Sequence, residues 1–357
     1  MFICPRIEID INKVKHNTKV LVDLCKKHHI DIAGVTKVFC AIPKVANTMV
    51  EGGVKYLADS RIENLVKLAE LNIPKLLLRL PMISQVHEVV KYADISLNSE
   101  LSTIEELSKE AIKLNKVHEI ILMVDLGDLR EGVWVDDVNS IVKEILKLKG
   151  IKLKGIGTNL TCYGGVLPNK ENLGQLAGIA DEIKNEFNIE LDIISGGNSS
   201  SLYIIEKNEI PDKINNLRLG ESIVLGRETA YGNSIENTYQ DAFKLAAEII
   251  ELKVKPSIPI GEIGMDAFGN KPTFEDKGNR KRAILAVGRQ DVNPDNLIPI
   301  NEKIEIIGAS SDHLIIDVTD SEKEYKVGDE IKFNLEYGAL LQLTTSEYIH
   351  KQIINSN

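Results

Sequence analysis

Apolar and polar positions along the chain follow two different grammars. The first strand-like alternation, Arg6–Asp10, leads into residues 11–29, where apolar side chains recur at helical spacing. Ile32-Ala33-Gly34-Val35 is then a short apolar run that ends at Thr36-Lys37. A run this short between two helical stretches reads as a strand buried on both faces. A helix starting near Pro43 comes next. The couplet then recurs. Strands expected at 54–58, 75–79, 95–97, 120–124, 153–157, 191–194 and 216–219 alternate with helices at 62–71, 84–92, 101–114, 138–148, 172–187 and 199–205. With the Lys37 strand this makes eight strand–helix units, which predicts an α/β fold: a (β/α)8 TIM-type barrel.

After about Gly226 the grammar changes. Strand-like stretches at 243–253, 282–287, 303–307, 314–318, 330–335 and 340–344 are separated by turn-rich segments, with one helix expected at 347–354. The barrel is therefore expected over 11–230, followed by a smaller all-β domain over 231–357 that the early strand within 1–10 joins.

Composition narrows the classes. The chain has 357 residues, 43% hydrophobic and 27% charged, as ordinary globular proteins do. A net charge of −10 argues against nucleic acid as a partner. The four cysteines form no C-x-x-C pair, and no His/Cys spacing points to a metal. No run has the length of a membrane span, and the chain opens on no basic-then-apolar leader. A cytoplasmic protein with no membrane partner is expected.

If the barrel closes, the carboxyl ends of its strands share a mouth, where such folds place their chemistry. Those ends carry Lys37, Asp59, Arg79, Asn98, the run 125–130, Thr158-Asn159, the run 195–201 and the run 218–221. Lys37 taken alone reads more readily as a lysine snorkelling to solvent than as a nucleophile. A covalent imine with a carbonyl cofactor is the reactive alternative. The glycine- and serine-rich run 195–201, with Gly220, lies where barrels hold phosphate, although serine and asparagine also serve as plain helix caps. Arg218 at the mouth is a candidate to face the ring nitrogen of a pyridoxal cofactor. It would keep its own proton and leave that ring a weak electron sink, which suits removal and return of a proton at one carbon. Arg130 suits capture of a substrate carboxylate, with Asp128 as its ion-pair partner or as a second substrate contact.

Taken in order, these motifs resemble the alanine racemase family of fold-type III pyridoxal-phosphate enzymes, over nearly the whole chain. Val35-Thr36-Lys37 resembles the family's Schiff-base lysine segment. The run 124–132 is similar to its Asp-Thr-Gly-Met-x-Arg-x-Gly loop. Asn198-Ser199 is similar to its phosphate motif, Leu217-Arg218-Leu219-Gly220-Glu221 to its Arg-Pro-Gly, and Tyr337 to a phosphate-binding tyrosine. The resemblance implies pyridoxal 5′-phosphate on Lys37, held by Asn198, Ser199, Ser200, Arg218, Gly220, Glu221 and Tyr337. It implies a small amino-acid substrate at Arg130 and a homodimer with shared active sites.

There are departures. Arg289 stands where the family has a catalytic tyrosine, Met123 where it has a modified lysine, and Asp128 where it has methionine. With the segments 36–41 and 288–291, these departures resemble the branch that interconverts the enantiomers of ornithine. Racemisation of ornithine is the expectation, with Lys37 exchanging the α-proton on one face and Asp128 meeting the substrate's side-chain ammonium. Arg289 and Asp291 are the matched catalytic positions of the second domain. A guanidinium is a poor base, so the second proton-transfer group is one of Asp291, Tyr163, Cys162 or His313. The alternatives are a racemase for lysine, alanine or serine, a related aldolase or decarboxylase, a non-catalytic pyridoxal-phosphate-binding protein, and a barrel hydrolase without cofactor.

Overall fold

The structure is a computed structural model that describes residues 3–266, 268–269 and 271–355. Strand β1 (Arg6–Asp10) runs directly into the helix Ile11–Lys26, and there the chain changes unit. Residues 11–240 form one compact unit; those before Ile11 join those after Gln240 in the other.

In the first unit the strands are β2 (Asp31–Val35), β3 (Tyr56–Asp59), β4 (Lys75–Leu77), β5 (Ile95–Asn98), β6 (His118–Asp125), β7 (Val133–Trp134), β8 (Ile151–Gly157), β9 (Ile193–Ser195) and β10 (Asn216–Leu219). They pair in parallel in the order β5-β4-β3-β2-β10-β9-β8-β6-β7, and β5 pairs again with β6. That last pairing closes eight strands into the expected barrel, with β7 a short extension on the end of β6. Both faces of the strands are covered. Ala33, Val35, Ala58, Leu76, Ile95, Leu97, Ile121, Met123 and Ile193 form one core cluster. Leu77, adjacent to Leu76, belongs instead to a cluster with Ile62, Leu65, Val89, Leu107 and Ala111 of the surrounding helices. This double burial is why the strand sequences run apolar instead of alternating.

The boundary falls after Gln240, later than 230, for a local reason. Asn17 Nδ2 donates to the carbonyls of Ile223 (3.0 Å) and Tyr239 (2.7 Å), and Asn17 Oδ1 accepts the Tyr239 N–H at 2.7 Å. One buried amide on the first helix thus binds the segment 227–240 to the barrel unit.

The second unit contains β11 (Phe243–Pro256), β12 (Asn279–Leu285), β13 (Leu297–Pro299), β14 (Glu305–Ala309), β15 (Leu314–Asp317), β16 (Glu330–Leu335) and β17 (His350–Ile354). The antiparallel order is β13-β16-β11-β12-β15-β14; β1 lies antiparallel to β11 and parallel to β17. Two expected elements are exchanged. Residues 340–344 belong to the helix Tyr337–Thr345, because Leu340, Leu343 and Thr344 share one buried face at helical spacing. A short apolar run does not by itself separate strand from helix. The expected helix at 347–354 is strand β17, drawn into the sheet by its ladder with β1. The second unit is thus the expected antiparallel β domain, with its helix at Tyr337–Thr345. Among the described residues no helix is long and apolar enough to cross a membrane.

Candidate active site

The lysine turn is built from below. β2 ends at Val35, Thr36 is fully buried, and Lys37 opens the 3₁₀ turn Lys37–Phe39 with an exposed side chain. The Thr36 carbonyl accepts the N–H groups of Phe39 (3.2 Å) and Ala41 (3.1 Å). Its hydroxyl donates to Asp59 Oδ2 at 2.7 Å. Asp59, the last residue of β3, also accepts the Arg61 N–H (2.9 Å) and Asn64 Nδ2 (3.1 Å). Burial pushes the Asp59 carboxyl above its usual value, against the pull of those donors and of nearby Lys37. Cys40 and Ala41 both hold φ of 52°, a conformation that residues with side chains seldom adopt. Such strain persists where the surroundings over-determine the backbone, and here they do so directly after Lys37.

β10 lies beside β2, with Arg218 in register with Ala33. The Arg218 guanidinium is 4% exposed. Nη1 donates to Ser195 Oγ at 2.5 Å and Nη2 to the Thr158 carbonyl at 2.7 Å, with Asn159 Oδ1 at 3.4 Å. Burial pushes its pKa down to about 10, against the opposing influence of Glu131 and Cys162. It therefore stays protonated at neutral pH.

The expected phosphate run is arranged around Asn198. Its Oδ1 caps the turn Ser199–Ser201 by accepting the Ser200 N–H at 2.8 Å. Its Nδ2 reaches Asn159 Oδ1 (3.1 Å), the Leu160 carbonyl (2.9 Å) and Cys162 Sγ (3.4 Å). Ser199 Oγ lies 3.0 Å from Ser222 Oγ and accepts the Ser222 N–H at 3.2 Å. Ser200 is fully buried, yet its Oγ has no hydrogen-bond partner; neither has Thr158 Oγ1 nor Asn159 Nδ2. Buried polar atoms are rarely left unpaired, so this linked group is equipped for a polar ligand. Gly220 caps the helix Glu221–Leu225, and a Cβ there would stand 3.1 Å from Val35 Cβ, so glycine permits the close approach. The Glu221 carboxylate accepts from Arg227 Nε at 3.0 Å.

Asp128, expected to meet the substrate's side-chain ammonium, is 1% exposed, and its carboxylate is engaged by backbone N–H groups. Oδ2 accepts the N–H groups of Tyr163 (2.9 Å) and Cys162 (3.3 Å), and Oδ1 that of Val166 (3.1 Å). Its own carbonyl accepts the Gly164 N–H at 3.1 Å. Burial raises its pKa, and the backbone donors together outweigh that and hold it below the ordinary carboxylate range. Asp128 is the clasp between the loops after β6 and β8. Arg130 is chelated by its neighbour, with Nη2 donating to Glu131 Oε1 at 2.6 Å and Nε to Oε2. Two of its five donors are thus engaged by Glu131.

Arg289, Asp291, Tyr337 and His313 belong to the second unit. Arg289 Nε donates to the Ala309 carbonyl at 3.1 Å, and its guanidinium lies 5.1 Å from the centre of the Phe268 ring. Asp291, 8% exposed, accepts the Ser346 hydroxyl at 2.7 Å. Tyr337 is the first residue of its helix and is partly buried; His313 is exposed. In the barrel unit, Tyr163 is 76% exposed. Asp59, Thr158, Asn159 and Ser195 stood among the strand-end residues without an assigned role; Ser222 and Glu131 carried no signal beyond proximity in sequence. Among the described residues, no group of three His, Cys, Asp or Glu side chains could hold a metal.

Known proteins place this arrangement. The family described as alanine racemase, N-terminal domain, matches residues 9–228. The chain is 57% identical to an ornithine racemase of Acetoanaerobium sticklandii over 98% of this chain and 99% of that one. It is 40% identical to a lysine racemase of Thermotoga maritima, over 97% and 98% of the two chains. Its fold is similar to that of an alanine racemase from Clostridium difficile 630, with a TM-score of 0.76 at 19% identity, covering 100% and 97%. The chain with the Lys37 turn, the buried Arg218 and the Asn198 cap belongs to the alanine racemase family.

Proposed function

We propose that the protein is a pyridoxal-phosphate-dependent amino-acid racemase whose preferred substrate is ornithine. The observation that carries the substrate is the near full-length likeness to a relative named ornithine racemase. The residues present fit the cofactor. A buried hydroxyl without a partner (Ser200), a paired serine couple (Ser199 with Ser222) and the Gly220 cap form a polar cradle for a phosphate. Pyridoxal phosphate, when bound, would supply a carbonyl for covalent attachment and a ring that spreads the electron pair left by a departing α-proton.

The chain's own residues do the rest. Lys37 would anchor the group through its amine and then move a proton at the substrate α-carbon on one face. Arg218, clamped by Ser195 and the Thr158 carbonyl, would offer the ring nitrogen a donor that does not surrender its proton. Asn198, Gly220 and Glu221 would complete the phosphate site. Arg130 would hold the substrate carboxylate with donors that Glu131 leaves available. From the second unit, Arg289, Asp291 and Tyr337 enter on the resemblance alone, as does the homodimer with shared sites.

One experiment tests the reading. Purified protein is treated with borohydride and mapped, and loss of optical rotation is followed for a panel of L-amino acids. The expected result is a reduced pyridoxyl adduct on Lys37, with ornithine losing rotation fastest. An adduct on another lysine, or full activity with none, rejects the cofactor site. Faster racemisation of lysine, alanine or serine rejects ornithine as the preferred substrate.

A further inference from the structure

Inverting one carbon by proton transfer needs a proton-transfer group on each side of it, and Lys37 is one group. Arg289, at the position of the family tyrosine, is a guanidinium and does not accept a proton. Of the four residues that could replace it, Asp291 and His313 lie in the second unit, where Asp291 is engaged by Ser346. Tyr163 is 76% exposed.

Cys162, exposed like Tyr163, belongs to the same unit as Lys37. Its thiol lies 3.4 Å from Asn198 Nδ2, the amide that also binds Asn159. It is close enough to Arg130 and Arg218 to interact electrostatically with both. Three buried polar atoms without partners, on Thr158, Asn159 and Ser200, belong to the same connected group. The loop that carries the thiol is held in one shape. Thr161, a β-branched residue, sits at φ of 56°, and the Asp128 carboxylate takes the N–H groups of residues 162, 163 and 166. Such strain persists only where the surroundings over-determine the backbone. Along β2-β10-β9-β8, Lys37 follows β2 and Cys162 follows β8, so the two flank Arg218 and Ser195 from opposite sides.

We propose that Cys162 is the second proton-transfer group, working opposite Lys37, with Asp128 as the residue that positions it. The proposal rests on the racemase reading above. In one direction the thiolate takes the α-proton and becomes a thiol, while the Lys37 ammonium returns a proton to the other face and becomes an amine. In the other direction the roles exchange. Between like turnovers, solvent resets the two groups by moving a proton from thiol to amine, so no oxidant or co-reactant is needed.

The test uses holoenzyme of wild type, Cys162→Ala and Cys162→Ser, each incubated in D2O with one ornithine enantiomer at a time. Inversion is followed by chiral chromatography and α-deuteration by mass spectrometry. Inversion should fall by roughly 10²–10⁴-fold in both variants, the usual worth of a general acid–base group. One enantiomer should still gain α-deuterium with its configuration retained, through Lys37, and the cofactor absorption band should be unchanged. In parallel, iodoacetamide labelling of wild-type Cys162 should be slowed by an amino acid that the wild type inverts, while labelling of Cys4 and Cys40 is not. Inversion in Cys162→Ala within about threefold of wild type, far below that 10²–10⁴-fold range, overturns the assignment. So does equal loss of exchange from both enantiomers, or labelling of Cys162 that no amino acid slows. Failure of the wild type to invert ornithine counts against the proposed substrate, and the labelling arm still reads the thiol.

Discussion

Asp128 shows what a residue type reveals and what it withholds. A carboxylate two positions from an arginine is visible in the sequence; whether it points at a ligand or at backbone is decided by a partner loop more than thirty residues away. The placement of Lys37, Arg218 and Asn198 at or just after strand ends was legible in the sequence. The Asp59–Thr36 bond beneath Lys37 was not, since it needs two neighbouring strands in register. Replacement of Asp128 by Asn puts an NH2 group against N–H donors and leaves at least one of them unpaired. About 1–3 kcal/mol of stability should be lost at neutral pH, measured by urea unfolding. Because its folded pKa lies below the unfolded value, the Asp128 contribution is present above the ordinary carboxylate pKa and is lost as pH falls through the folded one. The gap between wild type and Asp128→Asn should therefore shrink as the solution is acidified. A constant gap would show that the carboxylate charge does not matter there.

At the scale of elements, the barrel strands could be read from sequence because double burial removes polar residues from them. The segments 340–344 and 347–354 could not, because both are short and their fates depend on packing and on pairing with β1. β6 contains a feature that periodicity does not mark. His118 is 3% exposed, and its Nε2 stands 2.8 Å from Ser96 Oγ on β5. Burial lowers its pKa from 6.5 to about 4, so the folded state holds the neutral ring. A group with its folded pKa depressed in this way binds its proton first in the unfolded chain. Its contribution is intact above about pH 6.5 and is lost as pH drops toward 4, by about 3 kcal/mol at most. His118→Asn should flatten the stability profile over that interval in urea titrations. An unchanged slope would place the acid sensitivity elsewhere.

On the scale of the whole molecule, the proposed homodimer makes a prediction about mixtures. Lys37 and Cys162 belong to one unit, Asp291 to the other. If Asp291→Ala lowers activity, mixing it with Lys37→Ala should restore part of it, since one composite site is then intact. Mixing Lys37→Ala with Cys162→Ala should restore none, because each barrel lacks one group. Recovery in the second mixture would mean that the two residues do not serve the same site. The ladder that places β1 between β11 and β17 has a consequence for how the chain is made. Arg6 pairs with His350 and Ala246, so β1 waits for partners translated much later than itself. On the ribosome the barrel unit can close while β1 is still unpaired, holding buried Arg6, Glu8 and Asp10 without their sheet. The sheet of the second unit is thus completed only once β17 has been made, and a chain stalled before His350 would carry a finished barrel and an open sheet edge, the kind of edge that recruits other chains.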